Sequence, residues 1–385
     1  MKKSEPQNFV LTVIFILGIV IMFCSCTQQK KYESFTPGEL WMDSNGQHIN
    51  AHGGGILYKD NTYYWFGEHK IEGDEGNRAQ VGVHCYSSSD LYNWKDEGIA
   101  LAVDTVNESS EITKGSVIER PKVVYNEMTG KYVMWFHLEL KGQGYSAART
   151  AVAVADNVTG PYEYIRSYRP NPHTWPVNAV AKDTLVPEGG EESLDNLPGE
   201  EKAIAGYYLR RDYPVGQMAR DMTIFIDDDG TAYSIYASEE NYTLNISELS
   251  DDYTSFTGRW YRLFPGGHNE APAMFKYGGK YYLITSGCTG WAPNAARSAV
   301  ADEIWGHWEN LGNPCVGKDS EITFHSQSTY ALPVQGKDDA VILMFDQWRP
   351  ENPIDGRYVW LPVEVENGKV VLHWQDKWDL NFFDK

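Results

Sequence analysis

Residues 222–240 read MTIFIDDDGTAYSIYASEE: a short apolar run, an Asp-Asp-Gly turn and a second run rich in Tyr. A tight turn of residues that tolerate left-handed backbone, flanked by β-branched and aromatic runs, predicts a β-hairpin. The pattern recurs in GGGILYKDNTYYWFGE from Gly53, RPKVVYNEMTGKYVMWFHLE from Arg120, APAMFKYGGKYYLITSG from Ala271 and STYALPVQGKDDAVILMFDQW from Ser328. Between these segments lie outer strand pairs such as SSSDLYNWKDEG from Ser87, VADNVTGPYEYI from Val154, LSDDYTSFTGRW from Leu249 and ADEIWGHWENLG from Ala301. Hairpin followed by hairpin at regular spacing is the signature of radially arranged four-stranded blades. The expected fold is therefore all-β, a five-bladed β-propeller. No segment carries sustained helical periodicity, which argues against an α/β fold. The stretch RYVWLPVEVENGKVVLHW from Arg357 reads as one more hairpin that completes the last blade or closes the ring.

The chain of 385 residues is 42% hydrophobic, enough for a large core, and its formal net charge is −20. A phosphate-binding protein needs a basic face, so nucleic acid and anionic membrane surfaces are excluded as partners and neutral substrates are expected. Aromatic residues make up 14%, with 25 Tyr and 13 Trp. They suit many short strands and also supply flat rings that stack on sugars.

The N-terminus reads as an address. Lys2 and Lys3 precede an apolar run from Phe9 to Phe23, about the length of a signal-peptide core and short for a membrane span. The following Met22-Phe23-Cys24-Ser25-Cys26-Thr27 resembles a bacterial lipobox, with small Ser25 before the acceptor Cys26. Residues 1–25 are thus expected as a lipoprotein signal peptide, residues 26–37 as a lipidated polar tether and residues 38–385 as the propeller domain. That places a monomer at the cell envelope, periplasmic or at the cell surface, touching the membrane only through its lipid. Beyond the lipobox pair, Cys85, Cys288 and Cys315 allow at most one disulfide and show no metal-site spacing.

Overlaying the repeats by their turns puts His52, Glu119, Asp221, Glu270 and Gln327 just ahead of the inner strands. Inner strands of a propeller line its axis, so these heads are expected to converge on one central pocket. Gathering three carboxyls costs repulsion and desolvation that packing does not require, which favours a functional site. The other use of such a cluster is a structural cation in the channel; no cofactor is expected. Glycosidic bond cleavage needs an acid for the leaving oxygen and a group opposite it for the water or direct attack, and crowding raises the pKa of one carboxyl. One insertion, at about 170–214, contains NPHTWPV, VPEGGEESLDNLPGEE and YYLRRDYP. Its composition predicts a long loop over one face, either a lid or a solvated excursion.

The stretches AHGGG at Ala51, ERPKVVYN at Glu119, RDMTIFIDDDG at Arg220, NEAPAMF at Asn269, SGCTGWAPN at Ser286 and SQSTY at Ser326 resemble glycoside hydrolase family 43, and within it the exo-β-1,3-galactanase branch. The resemblance spans roughly residues 38–385. It implies a five-bladed propeller that inverts configuration, with Glu270 as general acid and Asp221 tuning and orienting it. Most of the family has a catalytic-base Asp at the head of the first blade, where this chain has Ala51-His52-Gly53. The galactanase branch shares that absence, which implies that Glu119 and Gln327 hold the attacking water. Either Glu119 or an imidic form of Gln327 then takes the proton. Glu68, Tyr145, Thr289 and Trp291 match sugar-binding positions of the branch. Each also has a packing reading, with Glu68 pairing to Arg120 and Tyr145 and Trp291 filling blades. His52 is a substrate ligand or a hydrogen-bonded core residue, and His325 beside Gln327 is a weaker candidate. The implied reaction is exo-release of galactose from β-1,3-galactan, as in arabinogalactan. The alternatives are an α-L-arabinofuranosidase, β-xylosidase or galactofuranosidase on the same scaffold, or a non-catalytic sugar-binding propeller.

Overall fold

The Asp-Asp-Gly segment does form a hairpin, Met222–Ile226 against Ala232–Ser238, and two further strands, Thr243–Leu249 and Phe256–Leu263, extend it into a four-stranded antiparallel blade. The computed structural model describes Met1 and residues 31–384; the expected signal peptide and Cys26 lie outside the described residues. Three more four-stranded sheets repeat the plan, starting from His52–Lys59, Val117–Asn126 and Glu270–Tyr277. Gln327–Pro333, Val341–Gln347 and Arg357–Pro362 form a three-stranded fifth sheet.

The expectation of five blades is corrected by a sixth sheet. Cys315–Val316 pairs in parallel with Lys369–His373, which pairs antiparallel with Glu364–Glu366. Counted by sheets, the arrangement is six-bladed. The last hairpin therefore does not simply finish the fifth blade: only Arg357–Pro362 joins it, and the remainder recruits a two-residue strand too short to read from sequence. The first strands of five sheets pack side by side around the axis. The sixth sheet inserts Cys315, Val370 and Leu372 into the core between the fourth and fifth.

The ring closes at the termini. Phe35, within the segment expected as a tether, is buried, and its amide and carbonyl pair with those of Trp378. Its ring meets Trp378 at 4.5 Å, Tyr92 at 4.7 Å and Trp360 at 5.7 Å. These belong to the apolar cluster that joins the first and fifth sheets. The packed domain thus begins before residue 38.

The insertion carries three short helices among the described residues, α1 (Ala181–Thr184), α2 (Gly199–Ile204) and α3 (Tyr207–Asp212). It lies along the outer edge of the third blade: the Val177 amide donates to Trp260 O, and Asn178 brackets the backbone of Arg262. Cys85, Cys288 and Cys315 are all free thiols.

Because Phe35 fills the seam where the ring closes, Phe35→Ala should cost about 3–5 kcal/mol. Guanidinium unfolding should show a lower midpoint with an unchanged slope.

Candidate active site

Four of the five inner strands begin with a bulge beside the head residue; the strand that follows Asp221 pairs without one. The ladder shifts register between His52 and Gly55, between Glu119 and Lys122, between Glu270 and Ala273, and between Ser328 and Tyr330. In three of these strands the residue after the head has left-handed backbone: Gly53 (φ 61°), Arg120 (φ 56°) and Ala271 (φ 53°). Their amides, turned out of the ladder, are taken by carboxylates of other strands. Gly53 N donates to Asp346, Arg120 N to Glu68 at 3.0 Å, and Ala271 N to Asp221 at 3.1 Å. A side chain at Gly53 would come within 2.2 Å of Glu68 Oε1, so glycine is required there for space as well as for backbone freedom.

The heads converge as expected, with one exception. Glu119, Asp221, Glu270 and Gln327 line one cavity of about 1140 Å³, together with Glu68, Tyr145 and Trp291. His52 does not reach it. Its ring is wholly buried, stacks on Tyr358 at 5.3 Å and is sealed by Gly356, with both ring nitrogens unpaired. Burial, then the charge of Lys70, pushes its pKa well below the usual histidine range. The substrate-ligand reading of His52 is therefore corrected to a core residue. Thr289 turns into its own loop, donating to Ala292 O at 2.6 Å and accepting from Asn294 at 2.7 Å. His325 faces Asp319 at 3.5 Å. Glu68 does not pair with the Arg120 guanidinium: Oε2 meets Lys70 at 2.6 Å while Oε1 takes the Arg120 amide.

At the centre lies a residue that sequence reasoning left aside. The buried guanidinium of Arg120 donates to Asp221 Oδ2 at 2.8 Å, Gln327 Oε1 at 2.7 Å and Ser328 O at 2.9 Å. Below it, Lys122 Nζ donates to Gly53 O at 3.0 Å and Arg120 O at 3.2 Å. Arg120 against Asp221 and Lys70 against Glu68 thus set positive side chains among the gathered carboxyls, while burial and the charge of Arg120 lower Lys122 to about 7. Glu119, His137 and Asp221 bring ligand atoms within 4.8 Å of one another, but both His137 nitrogens already face carboxylates: Nδ1 is 3.0 Å from Glu119 Oε2 and Nε2 is 3.0 Å from Glu139 Oε1. Carboxylates only accept, so the ring is an imidazolium, whereas a metal needs its lone pair. Burial would lower the His137 pKa, but these two bonds raise it to about 9.

Two of the carboxyls lining this cavity, Glu270 and Glu119, are shifted in opposite directions. Burial raises Glu270, the charge of Asp221 raises it further, and the net pKa is about 7. Burial also acts on Glu119, but there the His137 bond and charge, Lys70 and the Tyr145 hydroxyl at 2.7 Å prevail and bring it to about 2. Gln327 is fixed by three hydrogen bonds: Oε1 accepts from Arg120 and from Trp348 Nε1 at 2.8 Å, and Nε2 donates to Ser286 Oγ at 2.9 Å. Trp291 stands against Trp348 edge to face at 6.0 Å, forming an aromatic wall. Such a site holds one carboxyl able to donate a proton and another able to accept one.

Three further residues missed from sequence share a position. His137 pairs across the ladder with Glu119, Ser286 with Glu270 and Asp346 with Gln327, just as Glu68 pairs with His52. Counting back across each hairpin from its head would have found them. Selective ¹³C labelling of glutamate carboxyls should show Glu270 titrating near pH 7 and Glu119 ionised down to about pH 2. Asp221→Asn removes the neighbouring negative charge, so the Glu270 titration should move to lower pH, by about one unit or more.

Residues 203–356 match the sequence profile of glycosyl hydrolases family 43. The fold resembles a family 43 β-1,3-galactosidase solved with galactodeoxynojirimycin, with a TM-score of 0.85 and 52% identity over 90% of this chain and 100% of that one. It also resembles a second family 43 β-1,3-galactosidase (TM-score 0.76, 37% identity), covering 92% of this chain and 65% of that one. An exo-β-1,3-galactanase from Phanerochaete chrysosporium, solved with β-1,3-galactotriose, aligns with a TM-score of 0.72 and 32% identity over 90% of this chain and 68% of that one. A sequence comparison with curated proteins returns no match.

Proposed function

The chain belongs to glycosyl hydrolases family 43 and is a glycoside hydrolase, and we propose that it releases galactose one residue at a time from the ends of β-1,3-galactan chains, with inversion. The likeness to β-1,3-galactosidases at 52% and 37% identity and to an exo-β-1,3-galactanase at 32% supports the substrate. The observation that carries the chemistry is that one cavity holds Glu270 beside Asp221 and Glu119 against His137, so that the first carboxyl is pushed up and the second down.

In this reading Glu270, neutral below about pH 7, protonates the leaving oxygen. Asp221 keeps its proton on by repulsion and is itself held by Arg120 and the Ala271 amide. Glu119, ionised throughout, takes the proton of the attacking water. The Gln327 amide supports this division: both Oε1 lone pairs are occupied by Arg120 and Trp348, leaving no direction for an imidic O–H, while Nε2 keeps one N–H free after Ser286 to hold the water. Tyr145 steadies Glu119, and the Trp291–Trp348 wall offers a face for a sugar ring.

Purified enzyme should release galactose from β-1,3-galactobiose and not cleave aryl arabinofuranoside, xyloside or galactofuranoside. Glu270→Ala should lower turnover by about 10²–10⁴-fold, and Glu119→Gln comparably. Because the acid must be protonated and the base is ionised above about pH 2, kcat/KM should be flat from about pH 4 to 6 and fall through a single limb near pH 7. Preference for another sugar would replace the substrate, and binding without turnover would replace catalysis by recognition.

The apolar run Phe9 to Phe23 followed by Ser25-Cys26 supports delivery to the cell envelope as a lipoprotein monomer, joined to its membrane through Cys26. Metabolic labelling with palmitate should mark the wild type and not Cys26→Ala, and labelling of both would remove Cys26 as the acceptor.

A further inference from the structure

The turn that joins Ala232–Ser238 to Thr243–Leu249 opens toward the cavity and is strained. Three successive non-glycine residues in it, Glu239, Glu240 and Asn241, have left-handed backbone, with φ of 52°, 57° and 68°. Single left-handed residues are tolerated, but a run of them persists only where surrounding contacts impose it. Most of the contacts that do so come from, or lead to, the insertion. Buried Glu239 is gripped in a fork by Arg262, with Oε1 2.6 Å from Nε and Oε2 2.6 Å from Nη2. Arg262 is in turn fixed by Asp183 of α1 at 3.0 Å and by the Ala203 carbonyl of α2 at 2.6 Å. Glu240 pairs with Arg211 of α3 at 2.9 Å and with Arg220 at 3.0 Å.

The third residue of the run meets the carboxyl assigned above as the acid. Asn241 Nδ2 donates to Glu270 Oε1 at 2.6 Å, and the Cys288 thiol donates to the same oxygen at 3.2 Å. With two donors on Oε1, a neutral Glu270 carries its proton on Oε2.

We propose that the insertion is a brace, neither a lid nor a solvated excursion: through Arg262 and Arg211 it holds the left-handed turn that presents Asn241, and Asn241 with Cys288 fixes which oxygen of Glu270 delivers the proton. Asn241, Arg211 and Arg262 are positioning residues in this scheme, and it rests on the reading of Glu270 as general acid. A displaced acid matters most where the leaving group needs protonation and least where it departs unaided.

The test compares β-1,3-galactobiose with 2,4-dinitrophenyl β-galactoside, whose leaving group needs no acid, for wild type, Glu270→Ala, Asn241→Gly and Arg211→Ala. Glycine accepts the left-handed backbone, so Asn241→Gly removes the hydrogen bond without adding strain. Arg211 is about one-third exposed; it also holds the buried Asp212, which keeps Arg169 at 3.7 Å as a counter-charge when Arg211 is truncated. Asn241→Gly should lose about 10–100-fold on the disaccharide and less than about threefold on the aryl galactoside, and Arg211→Ala should show the same split at about 3–10-fold. The Asn241 bond favours the carboxylate form, so its loss should also move the descending pH limb upward. Equal losses on both substrates, or none, with the split present in Glu270→Ala, would overturn the brace alone. Absence of the split in Glu270→Ala would remove the acid assignment and the brace with it.

Discussion

Arg120 lies at the hub, and the site depends on its charge. Its guanidinium ties Asp221, Gln327 and the backbone of the fifth sheet to the second, and its own amide is held by Glu68 of the first. Removing one member of a buried hydrogen-bonded charge pair typically costs about 3–5 kcal/mol, because the other is left buried and alone. Arg120 therefore makes the gathered acids affordable and at the same time sets their orientation.

The same economy shows in the bulges. Gly53, Arg120 and Ala271 each release an amide from the ladder, and Asp346, Glu68 and Asp221 each take one. Burial raises Asp346 to about 7, with the Gly53 amide and Arg120 opposing that rise. Carboxylates that cap another strand's bulge fasten the hairpins to one another around the axis. An interblade seam made only of apolar side chains would leave those turned-out amides unsatisfied, at about 1–3 kcal/mol each.

Much of this was legible from residues close in sequence. Turns such as Asp-Asp-Gly and Gly-Gly announce hairpins because few other residues accept their backbone, and overlaying them placed Glu119, Asp221, Glu270 and Gln327 around one cavity. The overlay failed for His52: its strand carries the same bulge as those headed by Glu119 and Glu270, but its ring is buried against Tyr358, a partner from the fifth sheet that strand position alone does not reveal. The sixth sheet escaped because Cys315–Val316 gains its strand character from a parallel partner more than fifty residues later, not from its own two residues. The role of Arg120 escaped for a related reason: its partners, at Asp221 and Gln327, are distant in the chain and meet it only when the ring closes.

The division of labour between Glu119 and Glu270 follows from how the charges are shared out. Both carboxyls are substantially buried, so burial alone would push both upward. Glu119 faces an imidazolium that Glu139 keeps charged from behind, and Lys70 adds to it. Glu270 faces Asp221, whose repulsion is only partly offset by Arg120 and Arg220, the first of which is already engaged by Asp221 and Gln327. Its direct hydrogen-bond partners, the amide of Asn241 and the thiol of Cys288, are neutral. Neutral donors orient a carboxyl with far less pull on its proton than a cation exerts. The pocket thus separates an acid from a base by giving the imidazolium to one and the neighbouring anion to the other.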